Sequence, residues 1–133
     1  MEDRALGIGT IILRFGLGYL FLYDCIIILL LHRPPSADLA QILTKFPNLQ
    51  YLFPIPIGIF ELVVGLLLIF GLFTKTAATL ESIYIAAFTT LVLIAYHSSL
   101  NVAWKDIALL LCSISLAFIG CRMFGIDMLI NRD

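Results

Sequence analysis

The sequence predicts an all-α fold: an integral membrane four-helix bundle, with a short interfacial helix between helices one and two. Three observations predict it. The chain of 133 residues is 62% hydrophobic and only 13% charged, against about 25% charged in an ordinary soluble domain. Its mean hydropathy is +1.08. Its apolar residues also gather into four runs, each near the ~20 residues that cross ~30 Å of hydrocarbon.

The predicted spans are residues 5–31, 51–73, 76–96 and 105–124, within a single domain covering 1–133. Helices are the only reading, because four such segments cannot close a β-barrel in lipid. The first span is the longest and must tilt or project at one end. Glu2 and Asp3 outweigh Arg4 ahead of it, and Arg14 interrupts its apolar stretch. It therefore reads as a span and not as a signal peptide.

Pro34 and Pro35 stop the first helix. Ser36 then reads as an N-cap, with Asp38 in the first turn. Leu39, Ile42, Leu43 and Phe46 follow at helical spacing, and Pro47 ends the run. Residues 36–46 are thus predicted to form a helix on the membrane surface. Pro54 and Pro56 suit the first turn of the second span. A tight turn at 73–76 makes the second and third spans antiparallel neighbours, and 97–105 is a short polar loop. An even number of spans places both termini on one side. There Arg4, Lys75, Arg122 and Arg132 outnumber Arg33, Lys45 and Lys105, which favours cytoplasmic termini.

Several chemistries find no support. The net charge is −1, with no basic block for nucleic acid. Cys25, Cys112 and Cys121 are odd in number and lack C-x-x-C spacing, so they read as packing residues and not as a dithiol site. His32 and His97, at helix ends, form no zinc or haem ligand set. No nucleophile elbow, P-loop or H-E-x-x-H occurs. No internal repeat or broken mid-membrane helix points to a transporter.

The informative residues are the charges inside the spans: Arg14, Asp24, Glu61 and Glu81. Each costs at least ~2.5–3.5 kcal/mol at the bilayer centre unless it faces the bundle and finds a partner. By depth, Arg14 is predicted to pair with Glu61, Glu81 or both. Asp24 lies ~15 Å further along its helix, so Lys105 is its predicted partner. The faces agree. Gly7, Ile11, Arg14, Gly18, Phe21 and Cys25 make one stripe, and Gly58, Glu61 and Gly65 a second. Asp106, Leu110, Ser113, Ala117 and Gly120 make a third. Small residues at this spacing let helices approach closely. A cavity near Arg14, Glu61, Tyr84 and Phe88 has the make-up to hold an apolar ring with a polar head.

The same residues carry a family resemblance. Arg14, Gly18, Phe21 and Leu22 resemble the first-helix motif of the DoxX-like family: an arginine, a glycine four later, then phenylalanine-leucine. Glu61, Gly65 and Gly71, followed by Thr74, Lys75, Ala77 and Ala78, resemble its second-helix motif and turn. Trp104, Lys105 and Asp106 resemble the start of its fourth helix. The family often continues helix one with glycine and then lysine, where this chain has Cys25 and Ile28. Any role of that lysine is not carried over.

The resemblance implies a multi-pass protein of a prokaryotic cytoplasmic membrane, associated with redox systems. Relatives include the small subunit of thiosulfate:quinone oxidoreductase. It implies an accessory or stabilising subunit of a quinone-linked respiratory complex, not catalytic on its own, whose partners are the lipid bilayer and other membrane subunits. The first alternative is a quinone-binding oxidoreductase subunit, with quinone as its cofactor and Arg14 and Glu61 at the ring head. The second is a small proton-coupled carrier. The surface helix and the lipid-facing stripes are the expected contact surfaces.

Overall fold

A computed structural model describes residues 2–34, 36–53, 55–96, 100–120 and 126. They are all-α. The elements in order are α1 (Glu2–Leu31), α2 (Ala37–Lys45), a 3-10 helix (Pro47–Leu52), α3 (Ile55–Phe70), α4 (Thr74–Ala95) and α5 (Leu100–Ile119). Among the described residues, Arg4–Leu31 and Thr74–Ala95 are long and apolar enough to cross a membrane, and Ile55–Phe70 is a shorter apolar helix.

The distribution of side chains is inverted relative to a soluble domain. Ile12, Tyr19, Leu30 and Phe118 point outward and exposed, Phe118 at 81%. Arg14 and Glu81 are fully buried at 0% and Glu61 at 3%. Apolar surface outside and charge inside is the arrangement that lipid selects.

Two helix pairs dominate the packing, α1 with α3 and α4 with α5; α3 and α4 touch less extensively. The glycines of the first two stripes explain the α1–α3 seam. A Cβ built on Gly18 would stand 2.9 Å from the Gly65 carbonyl, and one on Gly65 would stand 3.1 Å from the Gly18 carbonyl. The two backbones are in direct contact, as small residues permit. At the α4–α5 seam, the Ser82 and Ser113 hydroxyls share a hydrogen bond of 2.6 Å. Ser113 also donates to the Ala78 carbonyl at 3.1 Å. One apolar cluster lies between these seams, around Leu17, Phe21, Leu68, Ile85 and Leu116.

The boundaries differ from the sequence expectation in three places. α3 begins at Ile55 because the chain from Pro47 first forms the 3-10 helix; Pro56 lies in the first turn of α3, and Pro54 is outside the described residues. The α3–α4 turn falls earlier than 73–76, because Gly71 adopts φ 64°. Gly71 N–H bonds the Leu68 carbonyl and Leu72 N–H the Leu67 carbonyl, closing a Schellman motif. α5 begins at Leu100, before the expected start at 105, so Lys105 sits within a helix and not at the end of a loop. Residues 97–99 and 121–125 lie outside the described residues, and with them His97, Cys121 and Arg122; so do Pro35 and Arg132.

The short helix is capped as its sequence predicts. Ser36 Oγ accepts from Leu39 N–H at 3.2 Å, and Phe46 N–H bonds the Ile42 carbonyl at 2.8 Å. Its apolar stripe, however, is turned inward. Leu39 and Ile42 are buried, and Ile42 joins Val92, Ala95 and Ala103 in a second cluster. Lys45 Nζ donates to the Ala95 carbonyl at 2.9 Å, at the end of α4. The helix therefore closes the end of the α4–α5 pair, and the face expected to meet lipid or a partner is largely covered by the chain itself. Ser36→Ala is expected to cost about 1 kcal/mol. Faster amide exchange over 39–45 alone would report it, and unchanged exchange would deny the cap.

Candidate functional site

The site is a cavity of about 210 Å³ lined by α1, α2, α3, α4 and α5. Its polar lining comes from every one of these helices or their caps: Asp24, Ser36 and Asp38, Glu61, Tyr84, and the pair Lys105 and Asp106. Phe21, Leu39, Ile85 and Phe88 supply apolar walls.

Glu61, Tyr84 and the Lys105–Asp38 pair each have a structural reason for their placement. Glu61 lies on the stripe of α3 that includes Gly58 and Gly65, so it faces α1 across the close seam. Tyr84 donates its hydroxyl to Glu61 Oε1 at 2.8 Å. Its ring is held by Phe60 at 5.2 Å and Phe21 at 5.8 Å between centroids, the second edge-on. At the α2 end, Lys105 Nζ meets Asp38 Oδ2 at 3.1 Å, with the lysine side chain 52% exposed and the aspartate 11%. An ion pair this open to solvent contributes at most about 1 kcal/mol, but it fixes the position of α2 over the cavity.

Two carboxylate oxygens of this lining are left over. Glu61 Oε2 and Asp106 Oδ2 are buried and have no hydrogen-bond partner. Buried polar atoms are normally satisfied, and an orphaned one in a cavity wall points to a missing partner.

Of the sequence candidates, the structure brings Asp24, Glu61 and Lys105 together around this cavity. It does not join Asp24 to Lys105, which pairs with Asp38 instead, because the capped α2 folds back over the start of α5. Arg14 and Glu81 are outside the cavity lining. Arg14 Nε donates to the Leu68 carbonyl at 3.0 Å, and Nη2 to the Ile69 carbonyl at 3.1 Å. Among the described residues neither Glu61 nor Glu81 forms an ion pair with it. The reason is register. With Gly18 opposite Gly65, Arg14 lies level with the last turn of α3, about two turns or ~10 Å beyond Glu61. Both Glu81 carboxylate oxygens are buried without a hydrogen-bond partner.

Sequence reasoning missed Asp38 and Asp106 as cavity residues. Asp38 had only a helix-dipole role, and Asp106 was one member of a small-residue stripe. The available signal was the adjacent Lys105, whose charge needs a carboxylate nearby. Among the described residues, no cluster of three His, Cys, Asp or Glu side chains is placed to hold a metal ion.

A second opening adjoins the first. An apolar groove of about 530 Å³ runs along the thin α3–α4 seam, walled by Ile57, Phe60, Ile83, Ala87 and Leu91 and covered at one end by Leu43 of α2. Leu39, Tyr84 and Phe88 line both, so the polar chamber and the groove border one another at these side chains.

The family model that matches this architecture is DoxX, over residues 9–97. The chain belongs to the DoxX family. Neither the curated proteins nor the solved structures offer a match. The DoxX match carries the membrane setting and the link to redox and quinone systems that the sequence motifs imply. It spans α1 to α4, and so includes Asp24, Asp38, Glu61 and Tyr84. Lys105 and Asp106, on α5, complete the chamber from outside the matched stretch of this DoxX chain.

Proposed function

We propose that this chain is a four-span integral membrane subunit of a quinone-linked redox assembly, and that the chamber between Asp24, Glu61, Tyr84 and Asp106 receives the ring of a quinone-class lipid. The carrying observation is the juxtaposition of two volumes. A polar chamber with orphaned buried oxygens adjoins an apolar groove at the α3–α4 seam. A molecule with a polar ring and a long apolar tail matches that pair.

The residues fit this group. Phe21 and Phe88 give the ring apolar walls, and the Glu61 and Asp106 carboxyls, when protonated, donate to its oxygens. A bound quinone would supply two-electron, two-proton chemistry. This chain's own residues bind and orient the ring, keep bulk water out with the Lys105–Asp38 closure, and hold protons at Glu61 and Asp106. Electrons are supplied or removed by a partner subunit, which makes the chain an accessory rather than an enzyme by itself. With α2 folded inward, the exposed outer faces of α1 and α5, around Tyr19 and Phe118, are the surfaces for that partner and for lipid.

The test is extraction of the native protein from its own membrane in mild detergent, followed by size separation, mass spectrometry and solvent extraction of the same fraction. Migration with a dehydrogenase or another redox protein, and recovery of a quinone, are expected. Migration alone with no quinone would sink the reading. Ion flux in liposomes by the isolated chain would assign it to the carrier class instead.

A further inference from the structure

The quinone reading leaves open how a tailed lipid reaches a chamber inside the bundle, and the packing of the helices bears on it. They form two closely packed pairs, α1 with α3 and α4 with α5, and the chamber lies between the pairs. Neither close seam offers a passage. In the first the backbones meet at Gly18 and Gly65, and the second is tied by Ser82, Ser113 and the Ala78 carbonyl.

The seams between the pairs are sparser, and they differ in chemistry. On the α1–α5 side the chamber wall carries Asp24, Lys105 and Asp106, and the Lys105–Asp38 ion pair crosses the α2 end. Drawing an apolar chain past these groups desolvates them without giving them a partner, which is costly. On the α3–α4 side lies the groove, where among the described lining residues Tyr84 alone carries a polar side-chain atom. Ile83 and Ala87 are exposed along it, on a surface that faces the bilayer.

Tyr84 stands where the two volumes meet. Its ring packs between Phe60, which lines the groove, and Phe21, which lines the chamber. Its hydroxyl bonds Glu61 Oε1 at 2.8 Å and so ties α4 to α3 across the sparse seam. An aromatic side chain can turn aside between rotamers without moving its backbone.

We propose that the α3–α4 groove is the chamber's portal from the bilayer, the route and resting place of a tailed lipid's apolar chain, and that Tyr84 is its gate, held closed by the bond to Glu61. This rests on the quinone reading and adds a path of entry to it.

The experiment uses the full chain in phosphatidylcholine vesicles and asks from which side Glu61 and Asp106 are reached. Diisopropylcarbodiimide arrives through the bilayer, and a carbodiimide bearing a quaternary ammonium arrives from water. With either reagent the carboxyl O–H adds across one C=N bond: the oxygen bonds the central carbon, the proton goes to nitrogen, and nothing leaves. Peptide mass spectrometry locates the adduct. Both carboxyls are expected to react with the apolar reagent and not with the charged one. Ala87→Trp fills the groove from an exposed position and should abolish both reactions, whereas Leu111→Trp, on the outer face of α5, should be silent. Tyr84→Phe should speed labelling of Asp106 about tenfold, the factor by which losing one hydrogen bond raises an open population. Asp106 is the readout there because the Tyr84 proton goes to Glu61, so its own reactivity is not changed directly. Labelling from water, labelling unaffected by Ala87→Trp, or no labelling of either carboxyl overturns the portal. An unchanged rate in Tyr84→Phe overturns the gate. No quinone takes part, so these failures leave the quinone reading standing, and failure of that reading on extraction leaves the labelling result intact.

Discussion

Arg14→Met is expected to destabilise the fold by about 3 kcal/mol, from two charge-assisted hydrogen bonds lost and a carbonyl left buried. The last carbonyls of any helix lack intrahelical partners and carry partial negative charge. At the end of α3 the Schellman turn serves Leu67 and Leu68, and the guanidinium of Arg14 adds bonds to Leu68 and Ile69. Arg14 thereby ties the middle of α1 to the end of α3 from a site that is fully buried. Removing one member of a buried polar contact is far costlier than replacing the whole of it. Arg14→Lys should recover only part of the loss, since one ammonium cannot match the planar fork. Reversible unfolding in mixed micelles checks this, and an unchanged midpoint for Arg14→Met would falsify the capping role. Quinone binding by folded Arg14→Lys should be unchanged, because Arg14 does not line the chamber.

Gly65→Leu is the second large effect. A first side-chain carbon at this position already stands 3.1 Å from the Gly18 carbonyl and from Leu22 Cγ. Leu22 is a side chain and can shift, but the Gly18 carbonyl is backbone. The rest of a leucine can be housed only by separating α1 from α3. Overpacking of this kind costs about 1–3 kcal/mol and sometimes more. The separation would also move Glu61 relative to Asp24, because both lie on the same seam. Loss of stability together with loss of ring binding is expected, whereas Gly9→Ala should be silent, since nothing lies within 4 Å of its added carbon. Unfolding midpoints and binding constants for both variants decide the matter. A stable Gly65→Leu would mean that the α1–α3 contact is not close.

The helical composition and the inward faces were legible in the sequence because they depend on local spacing. The stripes of α1 and α3 were readable from their glycines at helical intervals, and Gly18 and Gly65 do meet. Ser36 as a cap needed only its own neighbours. The partners of the charges were not legible. A depth estimate places Arg14 and Glu61 within reach of one another, but a shift of two turns in the α1–α3 register separates them. No local signal encodes that register; it follows from where Gly18 and Gly65 allow the backbones to touch.

The sequence by itself determined the class of this protein. Long apolar runs exceed what a soluble core requires, and buried charges demand inward faces, so an α-helical membrane protein of the DoxX family follows from composition, periodicity and motif. Tertiary structure decided the site. Folding α2 inward brought Asp38 to Lys105 at the end of the chamber, and the sparsely packed α3–α4 seam opened the groove. The physical reason is range. Helix formation and lipid preference are properties of neighbouring residues, whereas a cavity is what is left when five helices meet at angles and registers set by their shared contacts.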